Sequence, residues 1–208
     1  MRPGAARGAD LVEHVAALRA CRRCPRVLPP PVVAEPVPGA RLLLVGQAPG
    51  PRERGSGRLF AYTAGRRLFA WFAGLGVTEE EFRRKVWMAA AIRCFPGRAP
   101  QGGDRVPAPE EVRNCRPWLE RELELLRPLT VIAVGGLAMS LFLPPAPLAE
   151  RVGRAFRVEK DGRTLEVLPL PHPSGRSTWI NRAEHQALLR AALRRLRRSA
   201  GWRATFGR

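Results

Sequence analysis

Residues 42–50 read LLLVGQAPG. A run of apolar residues that breaks into Gly-Gln-Ala-Pro-Gly describes a strand buried on both faces and ending at the carboxyl edge of a parallel sheet, where open α/β folds place their ligands. Gly46 and Gly50 let backbone approach a ligand closely, and Pro49 stiffens the turn between them. The loop is expected to form one wall of a site, although a plain turn would look the same in isolation.

Three more buried runs follow: VWMAAAI at 86–92, TVIAV at 130–134 and EVLPL at 166–170. Between them lie helical patterns at 65–74, from Thr78 onward, at 109–126 and at 135–142, and a last helix runs from Asn181 to about Arg198. Strand alternating with helix predicts a parallel sheet covered on both faces, a three-layer α/β/α fold with four central strands. Both GQAPG and the segment after the fourth strand, Pro171-His172-Pro173-Ser174-Gly175, then emerge at one carboxyl edge. Residues 152–163 read as a surface hairpin or loop around Asp161-Gly162. A short amphipathic helix is expected to start near Asp10, with His14 as an ordinary helix-face residue, and six prolines between residues 25 and 40 mark an extended connector. The 208 residues suit one domain, with 1–10 and 199–208 loose at its ends.

The formal charge is +18, from 36 basic against 18 acidic residues, and all of the basic residues but Lys85 and Lys160 are arginine. Such a field favours a polyanionic partner, nucleic acid first, although arginine richness also follows from a GC-rich genome. No apolar run approaches the roughly 20 residues that span a bilayer, and no secretory pattern opens the chain, so a cytoplasmic protein without a membrane partner is expected. Cys21 and Cys24 form a C-x2-C pair, and Cys94 and Cys115 stand singly far downstream. Four thiols so spaced suit a metal site closed by the fold, holding either zinc or an iron-sulphur cluster. Phe60, in the polar segment after GQAPG, either stacks on a flat ring in a pocket or pins its loop to the core.

Taken together, GQAPGPRERGSGRLFAYTAG, the C-x2-C before it, Cys94 and Cys115 after it, and HPSG near the end resemble the iron-sulphur branches of the uracil-DNA glycosylase superfamily. The likeness covers roughly residues 11–195. It implies that Cys21, Cys24, Cys94 and Cys115 hold a [4Fe-4S] cluster rather than zinc. It implies further that His172 donates a hydrogen bond to the base oxygen, aided by backbone N–H groups at Gln47 and Ala48, and that Gly46, Phe60 and Ala90 line the base pocket. Ser174, Gly175 and Arg176 would meet DNA, with Arg176 filling the gap left by a flipped nucleotide. The implied activity is that of a monofunctional glycosylase acting, as a monomer, on DNA containing deaminated bases.

The pattern departs from that family in three places. The first loop has Gln47 and Ala48 where many members carry an acid, and Glu53 is the nearest carboxylate. Ala90 stands where uracil-specific members place an asparagine, which opens the pocket to hypoxanthine or xanthine. Tyr62 replaces a glycine and is expected to narrow the pocket. Two other readings are a DNA-binding member that has lost its chemistry and a redox or sensor protein whose metal is its function.

Overall fold

The computed structural model describes residues 3–175 and 177–207. In chain order the elements are α1 (Pro3–Arg19), β1 (Leu42–Gly46), α2 (Pro51–Ser56), α3 (Thr63–Ala73), α4 (Glu79–Lys85), β2 (Trp87–Ala90), α5 (Pro109–Leu126), β3 (Thr130–Val134), α6 (Gly136–Ser140), α7 (Leu148–Arg151), β4 (Phe156–Lys160), β5 (Arg163–Leu170), α8 (Ala183–Arg198) and α9 (Ala200–Phe206). A 3-10 turn at Trp179–Asn181 precedes α8.

The sheet has five strands in the order β2-β1-β3-β5-β4. β1 is parallel to β2 and to β3, and β3 is parallel to β5. Every residue of β1, β2 and β3 is buried. Apolar side chains on both faces therefore drive the three strands into the middle layer, as the unbroken hydrophobic runs predict. The expected count of four strands is corrected by β4, which pairs antiparallel with β5 through Phe156↔Val167 and Lys160↔Arg163. Asp161 and Gly162 close that hairpin with both φ values positive, 51° and 70°. These are the left-handed conformations that a two-residue hairpin turn requires. The strand escaped the hydrophobic reading because it is an edge: Arg157 and Glu159 alternate with half-covered Phe156 and Val158.

Both chain ends differ from expectation. Helix α1 begins at Pro3, so Asp10 lies inside the helix and does not cap it. Residues 199–208 are not loose, because Ser199 caps α9 by accepting the Trp202 N–H, and Gly207 ends it in the left-handed conformation. The Gly201 N–H donates to Thr130 Oγ1 at 2.9 Å, docking the helix on the start of β3. Trp202 is fully buried, with its ring 6.1 Å from Phe72 and 4.6 Å from Phe206, and Phe206 in turn lies over Phe82.

The C-terminal aromatics are thus part of the same core as the sheet. Truncating Trp202 to alanine removes a large buried ring packed among Phe72 and Phe206, and it is expected to lower unfolding free energy by about 3–5 kcal/mol in a denaturant titration. A loss below about 1 kcal/mol would mean that α9 is not packed as described.

Candidate active site and cysteine cavity

Four sheet strands deliver their ends to one edge. Gly46, last in β1, sits in register with Ala90, last in β2, and the chain continues with the Ala91 N–H donating to the Gly46 carbonyl. Gly135 follows β3, and His172 follows β5 by two residues. A Cβ added at Gly135, whose φ is +87°, would stand 3.1 Å from His172 Cδ2, so the bare glycine is what lets the imidazole lie against the end of β3. The Ser174 N–H donates to His172 Nδ1 at 3.2 Å. Nδ1 is therefore an acceptor, and in the neutral ring the proton must reside on Nε2. Burial lowers the His172 pKa from the ordinary imidazole value, and the charge of Asp104 opposes that shift only in part. The site thus holds a neutral imidazole with one fixed N–H donor.

Phe60 is buried and has φ 54°, a left-handed conformation uncommon for an aromatic residue. Two groups hold it there. The segment read as a polar loop is in part helix α2, whose Glu53 carboxylate accepts the Gly50 N–H and also those of Phe60 and Ala61. From the other side Arg83, on α4, donates to the carbonyls of Leu59 at 2.8 Å and Phe60 at 3.1 Å. The strap clamps the ring over Gly46, where any Cβ would come within 2.8 Å of Phe60 Cζ. Phe60 therefore pins the loop to the core while its ring covers the end of β1. Burial raises the Glu53 pKa against the pull of its three N–H partners. Tyr62 is 40% exposed, with the Arg52 guanidinium 3.8 Å above its ring.

Of the remaining candidates, Gln47 and Ala48 are half-buried, Ala90 is buried, Ser174 is half-buried and Gly175 is exposed. The Ser174 carbonyl accepts a bond from Arg67 of α3 at 3.4 Å, tying the second loop to the first half of the chain. Arg176 lies outside the described residues. Sequence reasoning missed Asp104, whose Oδ2 stands 3.1 Å from the place a Cβ on Gly50 would take and whose charge acts on both Glu53 and His172. Nothing in its Gly/Pro-rich neighbourhood marks it, since only the fold returns residues 97–105 to the first loop.

Cys21, Cys24, Cys94 and Cys115 line one cavity of about 50 Å³ together with Arg22, Arg23 and Arg93, and none is in a disulfide. Among the described residues, no three metal-ligating side chains are drawn together closely enough to hold an ion. The donor set nonetheless fits a thiolate-ligated cluster: four free sulphurs, an apolar lining from Leu18, Val27 and Ile92, and arginines to balance anionic sulphur. Burial pushes the Cys94 thiol up to about 12 and Cys115 to about 11, with neighbouring cysteines adding to both. Ala48 packs against the small apolar cluster formed by Val27, Ile92 and Cys115, so the cavity touches the back of the GQAPG loop.

This sheet order, with two short loops converging on a neutral histidine, defines an α/β protein with its site at the carboxyl edge. The sequence profile of the uracil DNA glycosylase superfamily matches residues 34–197, and the chain belongs to that superfamily. Over 140 residues it is 31% identical to the type-4 uracil-DNA glycosylase of Archaeoglobus fulgidus, covering 65% of this chain and 66% of that protein, just under two thirds of the relative's length. The type-4 uracil-DNA glycosylase of Thermotoga maritima is 29% identical over 168 residues, covering 79% of this chain and 82% of that protein. The type-5 uracil-DNA glycosylase of Thermus thermophilus is 35% identical over 164 residues, covering 64% and 72%.

The pKa of His172 is lowered on folding, so its contribution to stability is complete above the unfolded value, about 6.5, and is lost as pH falls through the folded value. The stability difference between wild type and His172→Gln should accordingly be flat above about pH 7 and shrink on acidification below about 6.5. Nitrogen NMR at pH 6.5 should show the imidazole neutral and protonated on Nε2; a charged ring there would contradict the assignment.

Proposed function

We propose that this chain is a monofunctional DNA glycosylase of base excision repair, acting as a single-domain monomer in the cytoplasm on DNA that contains uracil or another deaminated base. The observation that carries this reading is the neutral His172, with its donor proton fixed on Nε2, at the same sheet edge as GQAPG and Phe60 in a chain of this superfamily. A base inside a duplex is out of reach of such an edge, so the nucleotide must be flipped into it at a cost of a few kcal/mol. Phe60, clamped at Gly46, offers the flipped base a fixed surface. The backbone at Gln47 and Ala48, stiffened by Pro49, presents N–H groups beside it. As the glycosidic bond lengthens, negative charge gathers on the base, and the Nε2–H of His172 donates to the base oxygen where that charge collects.

Ala90 offers the base edge no hydrogen-bonding group, which supports hypoxanthine and xanthine as substrates beside uracil. Strand cleavage through a lysine Schiff base is not expected. Lys85 is tied to Glu81 on the outer face of α4, and Lys160 sits by Asp161 at the β4–β5 turn, both away from the sheet's carboxyl edge. No described helix is long and apolar enough to cross a membrane. Cys21, Cys24, Cys94 and Cys115 would hold a [4Fe-4S] cluster, which supplies cross-linking of distant chain segments rather than a group at the reacting bond.

The deciding experiment is base release from single- and double-stranded oligonucleotides carrying uracil, hypoxanthine or xanthine, scored by alkaline cleavage of the abasic product. Wild type should release at least one of these bases, and His172→Ala should be slower by about 10²–10³-fold at saturating enzyme. DNA binding without release from any substrate would favour the reading of a binding protein that has lost its chemistry. For the cluster, protein purified without oxygen should contain iron and sulphide in equal amounts, and Cys94→Ser should lose both along with thermal stability. Zinc in place of iron would overturn that assignment.

A further inference from the structure

The first loop of the site carries no acid, so no group on it can meet the positive charge that develops at the sugar as the base departs. Glu53 cannot fill that role, because its carboxylate is committed to the N–H groups of Gly50, Phe60 and Ala61 and lies inside the cap of α2. Asp104 is placed differently. Residues 97–105 fold back on themselves through an antiparallel bridge between Arg98 and Asp104, with the Ala99 N–H donating to Gly103 and the Arg105 N–H to Gly97, both at 2.9 Å.

The base of this small hairpin is anchored by the next side chain. Arg105 grips Glu111, at the start of α5, through two bonds of 2.9 and 2.8 Å, and its Nε donates to the Pro96 carbonyl. With Arg105 turned toward α5, Asp104 projects to the other side, where Oδ2 comes against Gly50 of the GQAPG loop. The carboxylate is exposed and, among the described residues, has neither an ion pair nor a side-chain hydrogen bond. An unpaired acid thus lies against Gly50 of the first loop, and its charge acts on His172.

Resting on the glycosylase reading above, we propose that Asp104 is the carboxylate of this active site, supplied by the loop between β2 and α5. In the step assigned to it, the C1′–N bond breaks and its electron pair leaves with the base, held as an anion by the His172 donor. The Asp104 carboxylate faces the cationic sugar and takes a proton from a water molecule as that water's oxygen bonds to C1′. The products are the abasic sugar with a C1′ hydroxyl and a base anion that is protonated by solvent after release, so that charge and atoms balance. Glu53, by contrast, is a positioning residue that acts through Phe60.

The test is single-turnover base release by the full chain on the oligonucleotide that wild type processes best, with Asp104→Asn and Asp104→Ala alongside. Asp104→Asn is expected to be slower by about 10²–10⁴-fold, with affinity for abasic-site DNA unchanged within about twofold. Formate added to Asp104→Ala should restore part of the rate, which a purely structural role would not allow. Because Asp104 is exposed, both variants should melt like wild type. A rate for Asp104→Asn within about threefold of wild type would overturn the proposal, as would parallel loss of rate and affinity with no rescue by formate. A wild type that releases no base fails the glycosylase reading itself. A working wild type with an equally working Asp104→Asn leaves the glycosylase standing and removes Asp104 from it.

Discussion

The buried ion pair between Arg93 and Glu122 joins the parts of the site. Arg93 is 1% exposed and Glu122 is fully buried, and their side chains meet at 2.6 Å. Burial alone would raise the Glu122 carboxyl, yet the Arg93 charge, with further help from neighbouring donors, holds it below the usual range; the same charge attraction keeps Arg93 protonated against burial. A pair this dry gains little over an apolar substitute, but removing one partner strands a charge in the core at a cost of about 3–5 kcal/mol. What the pair achieves is registration. Arg93 Nε donates to the Ala90 carbonyl at the end of β2, its main-chain carbonyl accepts the Val32 N–H, and its main-chain N–H reaches Cys115. Glu122 binds it from α5, and His14 approaches the other oxygen of that carboxylate from α1 at 3.6 Å. A residue read as an ordinary helix-face histidine is thus part of the only route by which α1, α5 and the end of β2 share one buried charge network among the described residues.

That network explains why the cysteines lie where they do. Cys94 follows Arg93 directly, and Cys115 lies about two helical turns from Glu122 on α5, so the ion pair helps to place two of the four thiols. Cys21 and Cys24 follow the end of α1. Residues 95–114 lie between Cys94 and Cys115, and they include the hairpin that brings Asp104 to the first loop. A cluster held by the four thiols would therefore close that segment at both ends, which restrains Asp104 at a distance without entering the reaction. The packing of Ala48 against Val27, Ile92 and Cys115 would extend the same restraint to the back of the GQAPG loop.

How much of this could be read from the chain follows from where each signal resides. Hydrophobic runs report burial on both faces, so β1, β2, β3 and β5 were legible, and with them the shared edge of GQAPG and His172. β4 shows only as part of a hairpin or loop around Asp161-Gly162 and not as a strand of the sheet, because an edge strand with Arg157 and Glu159 facing out carries half the signal of a central one. Helix α9 is hard to read because seven residues are too few to show periodicity, although Ser199 and Gly207 mark its two caps. The Glu53 clamp on Phe60 and the Arg83 brace were invisible for another reason: both are side chain to backbone contacts, and sequence carries no record of which carbonyl a guanidinium will find. Asp104 is hidden for a related reason, since only the fold of residues 97–105 brings it against Gly50.

On the proposed function, the neutrality of His172 also bears on which bases can leave. A buried imidazole that stays neutral donates a hydrogen bond but supplies no full proton, so it assists a base that departs as an anion far more than one that must be protonated first. Deamination converts an amino-bearing ring into one with an additional carbonyl and a more acidic N–H, and the resulting anion is the better leaving group. Uracil, hypoxanthine and xanthine share that property, while cytosine, adenine and guanine have it to a lesser degree. With Ala90 contributing no group that reads the base edge, discrimination cannot rest on unpaired polar atoms in the pocket. It falls instead to leaving-group chemistry and to the lower cost of flipping a mispaired base. The arginine surface adds affinity for any phosphate backbone and so cannot discriminate at all. Selectivity in such a site is a property of the damaged base as much as of the protein, which is why a small apolar residue at position 90 is compatible with a repair enzyme that spares normal DNA.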